Sequence, residues 1–561
     1  MGVIKVIGLD AGRKIPPATQ SDVDQLIRRY HAAKAKTAEW HAIVRECYDF
    51  CIPNRSASVD SSARPGQEVG QRVVDGTAVE SIYGFANELQ SALLPSDTEW
   101  IRMRPGAATD PKELSDVAHS LDYWNTIAFE DINDSNFSSS AHEAMLDIGV
   151  GTAAIRVIGG DARQRLIYET IPLPDIVVEA GPYGTIENVY RPYNIPVKMI
   201  TRRWPFAELD ADVKRLIEDQ PETPVDLIEV CVFHPVYQTY RTVVILLKNK
   251  KAIFQTAADE SEYVVSRWAV APGEVLGRGV AMSALPFIRT LNRAMRLTIA
   301  ISELSIAGMY TGVGDGVFNP HNVEFKPGAI FPVEDADAGL KPIAQSHDFQ
   351  ITQELMSEWR GRIKAIMFQE EAAPIERGSQ PSATAAILRS EKLQAKIGGS
   401  FPRLFRELVN PIFKKSVFQL QLQGRLPKDL RINGHDVRTQ YTGPLAQASR
   451  MDGVKAVQST LEVVGGLLGP EMIHAHFKTE EIGRFIAHGF GMPESLIRDE
   501  ADVKETMAKA VSAQTGQTAT VDPTEGAGPM DEGAEGEPLP EMPGGVEALL
   551  AGGGAPGGLP N

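Results

Sequence analysis

Residues 285–309, LPFIRTLNRAMRLTIAISELSIAGM, have the apolar spacing of a long helix with two distinct faces. One face carries apolar side chains, and another carries cations at positions i, i+4 and i+7. The apolar residues are Ile288, Leu291, Met295 and Ile299, and the cations are Arg289, Arg293 and Arg296. This spacing predicts a helix that buries its apolar face against a neighbour and presents a basic stripe elsewhere.

A second helical stretch, residues 347–369 (HDFQITQELMSEWRGRIKAIMFQ), follows after an insert, residues 310–346. Its apolar side chains again recur at helical spacing. They are Leu355, Trp359, Ile363, Ile366 and Met367. The insert is rich in Gly, Pro and Asn with short apolar pairs, which predicts a small irregular element containing β structure. Two helices that bracket a compact insert are therefore the central feature of the chain.

The sequence before this feature changes from helical to β patterning. One helical pattern runs from Ser21 to Pro53, a second lies between Asp75 and Pro95, and a third begins near Leu114. After Gly151 short β-type runs follow one another, separated by Gly, Pro and Asp, which predicts a mostly antiparallel sheet. The fold class predicted from this order is α+β.

The sequence after the second helix begins with a polar loop, residues 370–381. A long helical region follows over residues 382–424, and Gly398-Gly399, Pro402 and Pro411 predict breaks or kinks in it. Residues 446–512 again have a largely helical pattern. Residues 513–561 combine Gly and Pro with eight carboxylates and contain no Lys or Arg, a composition typical of a disordered tail.

Charge and composition exclude several classes of protein. The 561 residues carry a net charge of −17, which disfavours a protein that grips nucleic acid over a broad basic surface. No stretch has the roughly 18 uncharged apolar residues of a membrane span, so we expect no membrane insertion. The three cysteines are too few for a disulfide framework, and we expect Cys47 and Cys51 to be buried thiols on one helix face, in a reducing compartment.

Motifs that carry catalytic or cofactor chemistry are missing from the sequence. No P-loop, H-E-x-x-H, G-x-S-x-G or C-x-x-C motif occurs. The glycines of GVGTAAI (149–155) and GEVLGRG (273–279) lack the βαβ context of a dinucleotide site, and we interpret them as turn glycines. His474, His476 and His488 lack the partners of a metal site. The sequence therefore predicts no catalytic residue, no metal and no cofactor.

Six segments in a fixed order resemble the portal, or head-to-tail connector, proteins of short-tailed bacteriophages. They are CIPNRS (51–56) after the Trp40 helix; QRVVDGTAVESIYGFANELQSALLPSDTEWIRM (71–103); RWAVAPGEVLGRGVAMSALPFIRTLN (267–292); VEFKPGAIFPV (323–333); PSATAAILRSEKLQAKIGGSFPRLFRELVNPIFKK (381–415) followed by QGRLP; and YTGPLAQASR (441–450). The resemblance covers roughly residues 21–450.

The resemblance implies a portal fold with named parts. After an N-terminal arm, residues 1–20, come a wing of helices and antiparallel strands (21–284), a two-helix stem (285–309 and 347–369) and a small α/β clip between its helices (310–346). A tunnel loop (370–381), a long kinked wing helix with a β return (382–445), a helical crown (446–512) and the acidic tail complete it. It also implies a virion protein that forms a ring of about twelve copies at one capsid vertex, assembled in the host cytoplasm.

The resemblance further implies partners and site residues. The partners are double-stranded DNA passing through the channel, the terminase large subunit, tail adaptor or nozzle proteins, and the major capsid and scaffolding proteins. The tunnel loop would place Glu370, Glu371, Glu376, Arg377 and Gly378 at a constriction. Its carboxylates would form mainly negative rings that do not retain DNA.

Alternatives remain at this stage. The cations Arg289, Arg293 and Arg296 would either touch DNA phosphates or form salt bridges with carboxylates such as Glu354 or Glu358 on the second stem helix. The loop at 370–381 could also be a solvated surface turn. Two alternative functions remain: another head-tail adaptor or structural virion protein, and an unrecognised metal-dependent hydrolase.

Overall fold

The computed structural model describes residues 16–56, 69–96, 98–106, 114–307, 310–311, 341–342, 349–369, 397–428, 430, 437–468 and 477–489. All of these residues lie within one unit of the chain, Met1–Ile497. The predicted tunnel loop, most of the predicted clip and the predicted acidic tail lie outside the described residues. Among the described residues, no helix combines the length and the apolar content needed to cross a bilayer.

The N-terminal part is helical, as predicted, but its first helix is shorter than the sequence suggested. Its helices are α1 (Gln20–Lys36), α2 (Ala38–Cys51), α3 (Pro53–Ser56), α4 (Thr77–Leu93), α5 (Leu114–Asn133) and α6 (Phe137–Val150). The prediction of one helix from Ser21 to Pro53 is wrong, because the backbone of Thr37 leaves helical geometry, with a ψ of 4°, and its amide donates to the carbonyl of Lys34 at 3.2 Å. A bond to the carbonyl three residues back tightens the last turn of a helix.

The strands form antiparallel sheets, which confirms the β pattern predicted after Gly151. One sheet has the order β3 (Leu166–Ile171), β2 (Thr152–Gly159), β9 (Tyr263–Arg267). The other has the order β4 (Val177–Ala180), β5 (Ile186–Pro196), β6 (Pro224–His234), β7 (Thr239–Leu246), β8 (Lys251–Ala258). Strand β1 (Ile101–Pro105) pairs separately with β12 (Val437–Tyr441). The α+β fold class is thereby confirmed.

The five-stranded sheet is covered on both faces. Helix α1 packs Leu26 and Tyr30 against one face, and the short helices α7 (Lys198–Arg203) and α8 (Ala211–Asp219) cover the other. The largest core lies between the helices and the three-stranded sheet, and it includes the side chains of Cys47 and Cys51. All three cysteines are buried and free, which confirms the prediction of buried helix-face thiols.

Two glycine clusters meet where the three-stranded sheet joins the helices. A Cβ built on Gly151 would lie 2.1 Å from the carbonyl oxygen of Gly277, and Gly151 has a φ of +151°. The amide of Gly279 donates to the carbonyl of Val150 at 3.0 Å. These glycines, interpreted above as turn glycines, therefore permit a direct approach of two backbones that no larger residue would allow.

The central feature is a pair of helices, α9 (Val280–Ala307) and α10 (Phe349–Ile366). Helix α9 begins five residues before the predicted start, and the two-residue strands β10 (Tyr310–Thr311) and β11 (Lys341–Pro342) lie between the helices in sequence. The predicted break at Gly398-Gly399 is present as a turn before α11 (Phe401–Leu404). Pro402 and Pro411 instead lie in the first turns of α11 and α12 (Asn410–Leu422), and a π-helical segment that was not predicted, Phe405–Val409, joins these two helices. The last described helices are α13 (Pro444–Leu468) and α14 (Thr479–Gly489).

Candidate channel and assembly site

The pair α9–α10 is packed into the core at one end and is exposed at the other. Two side chains from each helix are almost fully buried at the packed end. They are Ile288 and Leu291 of α9, Ile363 in the last turn of α10, and Met367 just after that turn. Toward the insert, by contrast, both helices present apolar side chains to solvent. These exposed side chains, named here the stem apolar patch, are Leu297 (55% exposed), Ile299, Ile351 (56% exposed) and Leu355.

This arrangement corrects part of the predicted helix faces. Ile288 and Leu291 confirm the apolar stripe of α9, but Ile299, assigned to the same stripe, is 44% exposed. Leu355 is likewise 43% exposed. The periodicity identified both residues as apolar positions of a helix, but periodicity alone does not say where along the helix its neighbour ends.

Three polar side chains fix the buried end of the helix pair. Asn292 of α9 is 3% exposed, and its Oδ1 accepts hydrogen bonds from the amides of Val74 (2.8 Å) and Asp75 (3.1 Å). Arg360 of α10 donates Nε to Oδ2 of Asp75 at 2.9 Å. The residues before α4 are thus tied to both long helices at one point.

Asp75 also supports the first turn of α4. Its Oδ1 accepts a hydrogen bond from the amide of Thr77 at 3.0 Å. Burial raises the pKa of Asp75, but hydrogen bonds from Thr77 and Arg360 more than offset this, so the pKa lies below its ordinary value. The carboxylate is therefore charged at neutral pH and holds Arg360 in place.

The sequence did not single out Asn292 or Arg360, although one signal was present. Asn292 is a polar residue within the apolar face that contains Ile288 and Met295. A short polar side chain on a buried helix face is costly unless it is hydrogen-bonded, so it indicates a specific partner. The partner backbone, at Val74 and Asp75, lies more than 200 residues away and cannot be read from spacing.

The predicted basic stripe of α9 is only partly available for contacts outside the chain. Arg289 forms a two-pronged ion pair with Glu46 of α2, with Nε 2.6 Å from Oε1. Arg296 donates to the carbonyl oxygen of Arg72 at 2.8 Å. Arg293 is exposed and has no partner among the described residues.

The salt-bridge partners suggested for this stripe differ from those observed. Arg289 lies on the side of α9 that faces α2, so its carboxylate partner is Glu46 and not Glu354 or Glu358. Glu358 instead pairs with Arg362 one turn along its own helix. The Arg289 hydrogen bond holds the pKa of Glu46 below its ordinary value.

The residues that lead into the predicted tunnel loop are anchored. Phe368 has a φ of +62° and packs against Phe85 and Trp268, with ring centroids 5.9 and 6.0 Å apart. The amide of Gln369 donates to the carbonyl of Lys364 at 2.7 Å. Glu370, Glu371, Glu376, Arg377 and Gly378, the residues predicted for the loop itself, lie outside the described residues.

The two ends of the predicted clip are held together. Tyr310 pairs with Pro342 and Thr311 with Lys341 in an antiparallel register. Residues 312–340, between these strands, lie outside the described residues. The pairing brings residues 310–311, which follow α9 in sequence, next to residues 341–342, which precede α10. In the described part of the chain, no three His, Cys, Asp or Glu side chains come together as a metal site would need.

The sequence matches the family described as bacteriophage head to tail connecting protein over residues 23–497. This chain belongs to that family. It is also 20% identical over 491 residues to a probable portal protein of Bordetella phage BPP-1, covering 81% of this chain and 85% of that protein. A chain from a virion of a native gene transfer agent particle matches 74% of this connector and 90% of its own length, with 10% identity and a TM-score of 0.30.

The family match confirms the resemblance found in the sequence. The chain is a phage portal, or head-tail connector, protein and a structural component of the virion. Proteins of this family are structural and not enzymes. The α9–α10 pair is therefore part of a head-tail connector protein.

Proposed function

We propose that this connector assembles into a ring of about twelve copies at one capsid vertex. The ring surrounds the channel through which double-stranded DNA enters during packaging and leaves during ejection. It is also the docking platform for the terminase large subunit and, later, for tail adaptor or nozzle proteins, and it contacts the major capsid and scaffolding proteins. The observation that carries this proposal is the helix pair α9–α10, anchored at one end and apolar at its free end.

The stem apolar patch supports contact with a neighbouring subunit. Leu297, Ile299, Ile351 and Leu355 are large apolar side chains that lie toward the same end of two packed helices. Apolar side chains clustered on an exposed surface typically mark an interaction site. In a closed ring each subunit uses two different surfaces, so α9 of one copy would face α10 of the next.

The charges of the helix pair suit a channel that does not hold DNA tightly. Arg289 and Arg296 are engaged within the subunit by Glu46 and by the carbonyl of Arg72. Arg293 is the one cation of the predicted stripe without a partner among the described residues. A single cation per subunit gives a sparse ring of positive charge, whereas a fully basic lining would add affinity for every phosphate that it neutralised.

The insert and the loop are assigned by their positions. The pairing of β10 with β11 supports the assignment of residues 310–346, between the two helices in sequence, to a clip that would meet terminase or tail proteins. The loop at 370–381 follows directly from the buried end of α10, which is anchored by Phe368. Its carboxylates Glu370, Glu371 and Glu376 would line the constriction.

The assembly state of the purified chain tests this proposal. Mass photometry combined with negative-stain imaging should show rings with an axial hole near twelve times 61.1 kDa, about 730 kDa. A chain that stays monomeric or dimeric at high concentration and with scaffolding protein present would contradict the ring. A ring without lateral wing density would favour a smaller head-tail adaptor instead. Divalent-metal-dependent cleavage of DNA by the pure protein would favour the hydrolase alternative.

A further inference from the structure

The π-helical segment Phe405–Val409 interrupts an otherwise continuous helix between α11 and α12. A π turn contains one residue more than an α turn, and single π turns occur often at functional sites. If this segment returned to α geometry, residues on its N-terminal side would move by about 1.5 Å along the axis and rotate by about 100° relative to α12. An α form of the segment would therefore put the helix in a second register.

The C-terminal side of the segment is fixed in the core. Ile412 and Phe413 of α12 are fully buried, and Ser416 forms a hydrogen bond with the hydroxyl of Tyr168 at 2.6 Å. On the other side, Phe401 and Phe405 rest on the ring of Tyr441, with centroids 5.6 and 5.8 Å apart. Ile397 and Leu404, also on this side, are buried in the same core, so a slip of the segment would have to repack both side chains together with the aromatic rings.

One ion pair fastens the π segment to the sheet. Glu407 lies within the segment, and its Oε1 accepts a hydrogen bond from Nη2 of Arg267 at 2.7 Å. Its Oε2 accepts from both Nε (3.2 Å) and the backbone amide (3.0 Å) of Arg267. The side chain of Arg267 is 5% exposed and that of Glu407 17% exposed, so the pair is largely shielded from water.

The same arginine also reaches two other parts of the subunit. Its Nη1 donates to the carbonyl of Val275 at 3.2 Å, in the loop that leads into α9. Its Nη2 also donates to the carbonyl of Gly184 at 2.9 Å, in the turn between β4 and β5. Arg267 therefore connects the π segment, the loop before α9 and the five-stranded sheet.

We propose that Phe405–Val409 is a two-state joint, held in its π form by the Arg267–Glu407 pair and coupled through Arg267 to the loop that starts α9. A slip to α geometry would move Glu407 away from Arg267. The buried guanidinium of Arg267 would then lack its charged acceptor, and its hydrogen bond to the carbonyl of Val275 would change. Movement in the kinked helix would thus be transmitted to the long helix pair. This inference concerns a moving part inside each subunit and does not depend on the channel function proposed above.

Hydrogen–deuterium exchange of the full chain, followed by mass spectrometry, tests the joint. In Glu407→Gln, amide exchange should rise about tenfold in residues 397–409 and also in the loop 268–279, since a charge-assisted hydrogen bond is lost. Arg267→Lys should do the same, because Lys cannot form the two-pronged contact. Glu46→Gln is the matched control, since it removes a similar two-pronged carboxylate from Arg289 and should leave both regions unchanged.

Deletion of the exposed residue Arg406 distinguishes a two-state joint from a fixed irregularity of the helix. Removing one residue from the π segment allows a regular α-helix with both flanks in place. Exchange in residues 397–409 should then fall below that of the parent chain, while the loop 268–279 should still exchange faster because Arg267 has lost its partner. The proposal is overturned if Glu407→Gln affects only residues 397–409, if exchange rises equally throughout the chain, or if the deletion speeds exchange in residues 397–409.

Discussion

The guanidinium of Arg360 on α10 forms an ion pair with Asp75, with Nη2 2.8 Å from Oδ2, although the two residues are separated by 285 positions in the sequence. Asp75 precedes α4, whose apolar face lies in the main core, so this pair connects the second long helix directly to the N-terminal helices. Asn292 contributes the matching contact from α9. The helix pair is therefore held at a fixed point beside α4 and cannot pivot there without breaking these hydrogen bonds.

Substitution of Asp75 by Asn should lower the free energy of unfolding by about 2 kcal/mol, because Arg360 and the amide of Thr77 lose a charged acceptor. The folded-state pKa of Asp75 is below its ordinary value. The carboxylate therefore contributes its full stabilisation above the ordinary pKa of about 3.8, and this contribution is lost as pH falls through the lower folded-state pKa. Urea denaturation monitored by circular dichroism at pH 7 and at pH 3 measures both effects.

Glu358→Gln is the control for Asp75→Asn. Glu358 pairs with Arg362 on the solvent side of α10, and both side chains are more than half exposed. An exposed pair of this kind contributes little to stability, so the control should change the unfolding midpoint only slightly. Equal destabilisation by the two variants would show that the buried position of Asp75 has no special role.

Asp147 should make the free energy of unfolding depend on pH in the direction opposite to that of Asp75. It is fully buried at the end of α6, accepts a hydrogen bond from Tyr48 at 3.0 Å, and pairs with Arg55, with Glu143 nearby. Burial raises the pKa of Asp147 to about 6, despite the attraction of Arg55. A raised folded-state pKa contributes stability fully below the ordinary value near 3.8, and this stability is lost as pH rises toward 6.

The parent chain should therefore lose stability relative to Asp147→Asn between about pH 4 and pH 6. The informative quantity is the change with pH in the difference between the two free energies of unfolding. A difference that stays constant from pH 4 to pH 7 would show that the carboxyl keeps its ordinary pKa.

Much of the fold followed from local patterns in the sequence. Helical spacing located α4, α5 and both long helices, and the Gly, Pro and Asp spacing after Gly151 predicted the antiparallel strands. The break between α1 and α2 was missed because Thr37 fits a helical window, and only its backbone geometry shows that it ends the helix. The close approach of two backbones was also missed. The glycines at 149–151 and 277–279 were interpreted as turn residues, whereas in the structure their backbones are in direct contact.

The candidate site was harder to predict for a physical reason. Arg289 was recognised as part of a stripe, but the element facing it is α2, more than 230 residues away, and no spacing rule gives that neighbour. Asn292, Arg360, Arg267 and Glu407 act through partners on distant elements, so their roles depend on tertiary structure. The assignments of the tunnel loop and of DNA contacts remain predictions from the resemblance.

Leu297→Glu should prevent ring formation while leaving the subunit folded. Leu297 is 55% exposed and belongs to the stem apolar patch, so a charge costs little in the free subunit but would be desolvated between subunits. Mass photometry should show a shift from rings to monomers, with an unchanged circular dichroism spectrum. Tyr183→Glu is the control, because Tyr183 is 91% exposed in the turn between β4 and β5. Rings that form normally with Leu297→Glu would remove the patch from the subunit interface.

Neutralising the predicted tunnel loop should make the ring bind DNA more tightly. The triple variant Glu370→Gln, Glu371→Gln and Glu376→Gln removes three negative charges from each subunit and leaves Arg377 in place, so repulsion of the phosphates falls around the whole ring. Fluorescence anisotropy with a short DNA duplex should show higher affinity at low salt, with the gain disappearing as salt rises. The matched control, Asp531→Asn, Glu532→Gln and Glu535→Gln, removes the same charge from the predicted acidic tail. If both triple variants raise affinity equally, the effect comes from net charge alone, and the loop loses its assigned place in the channel.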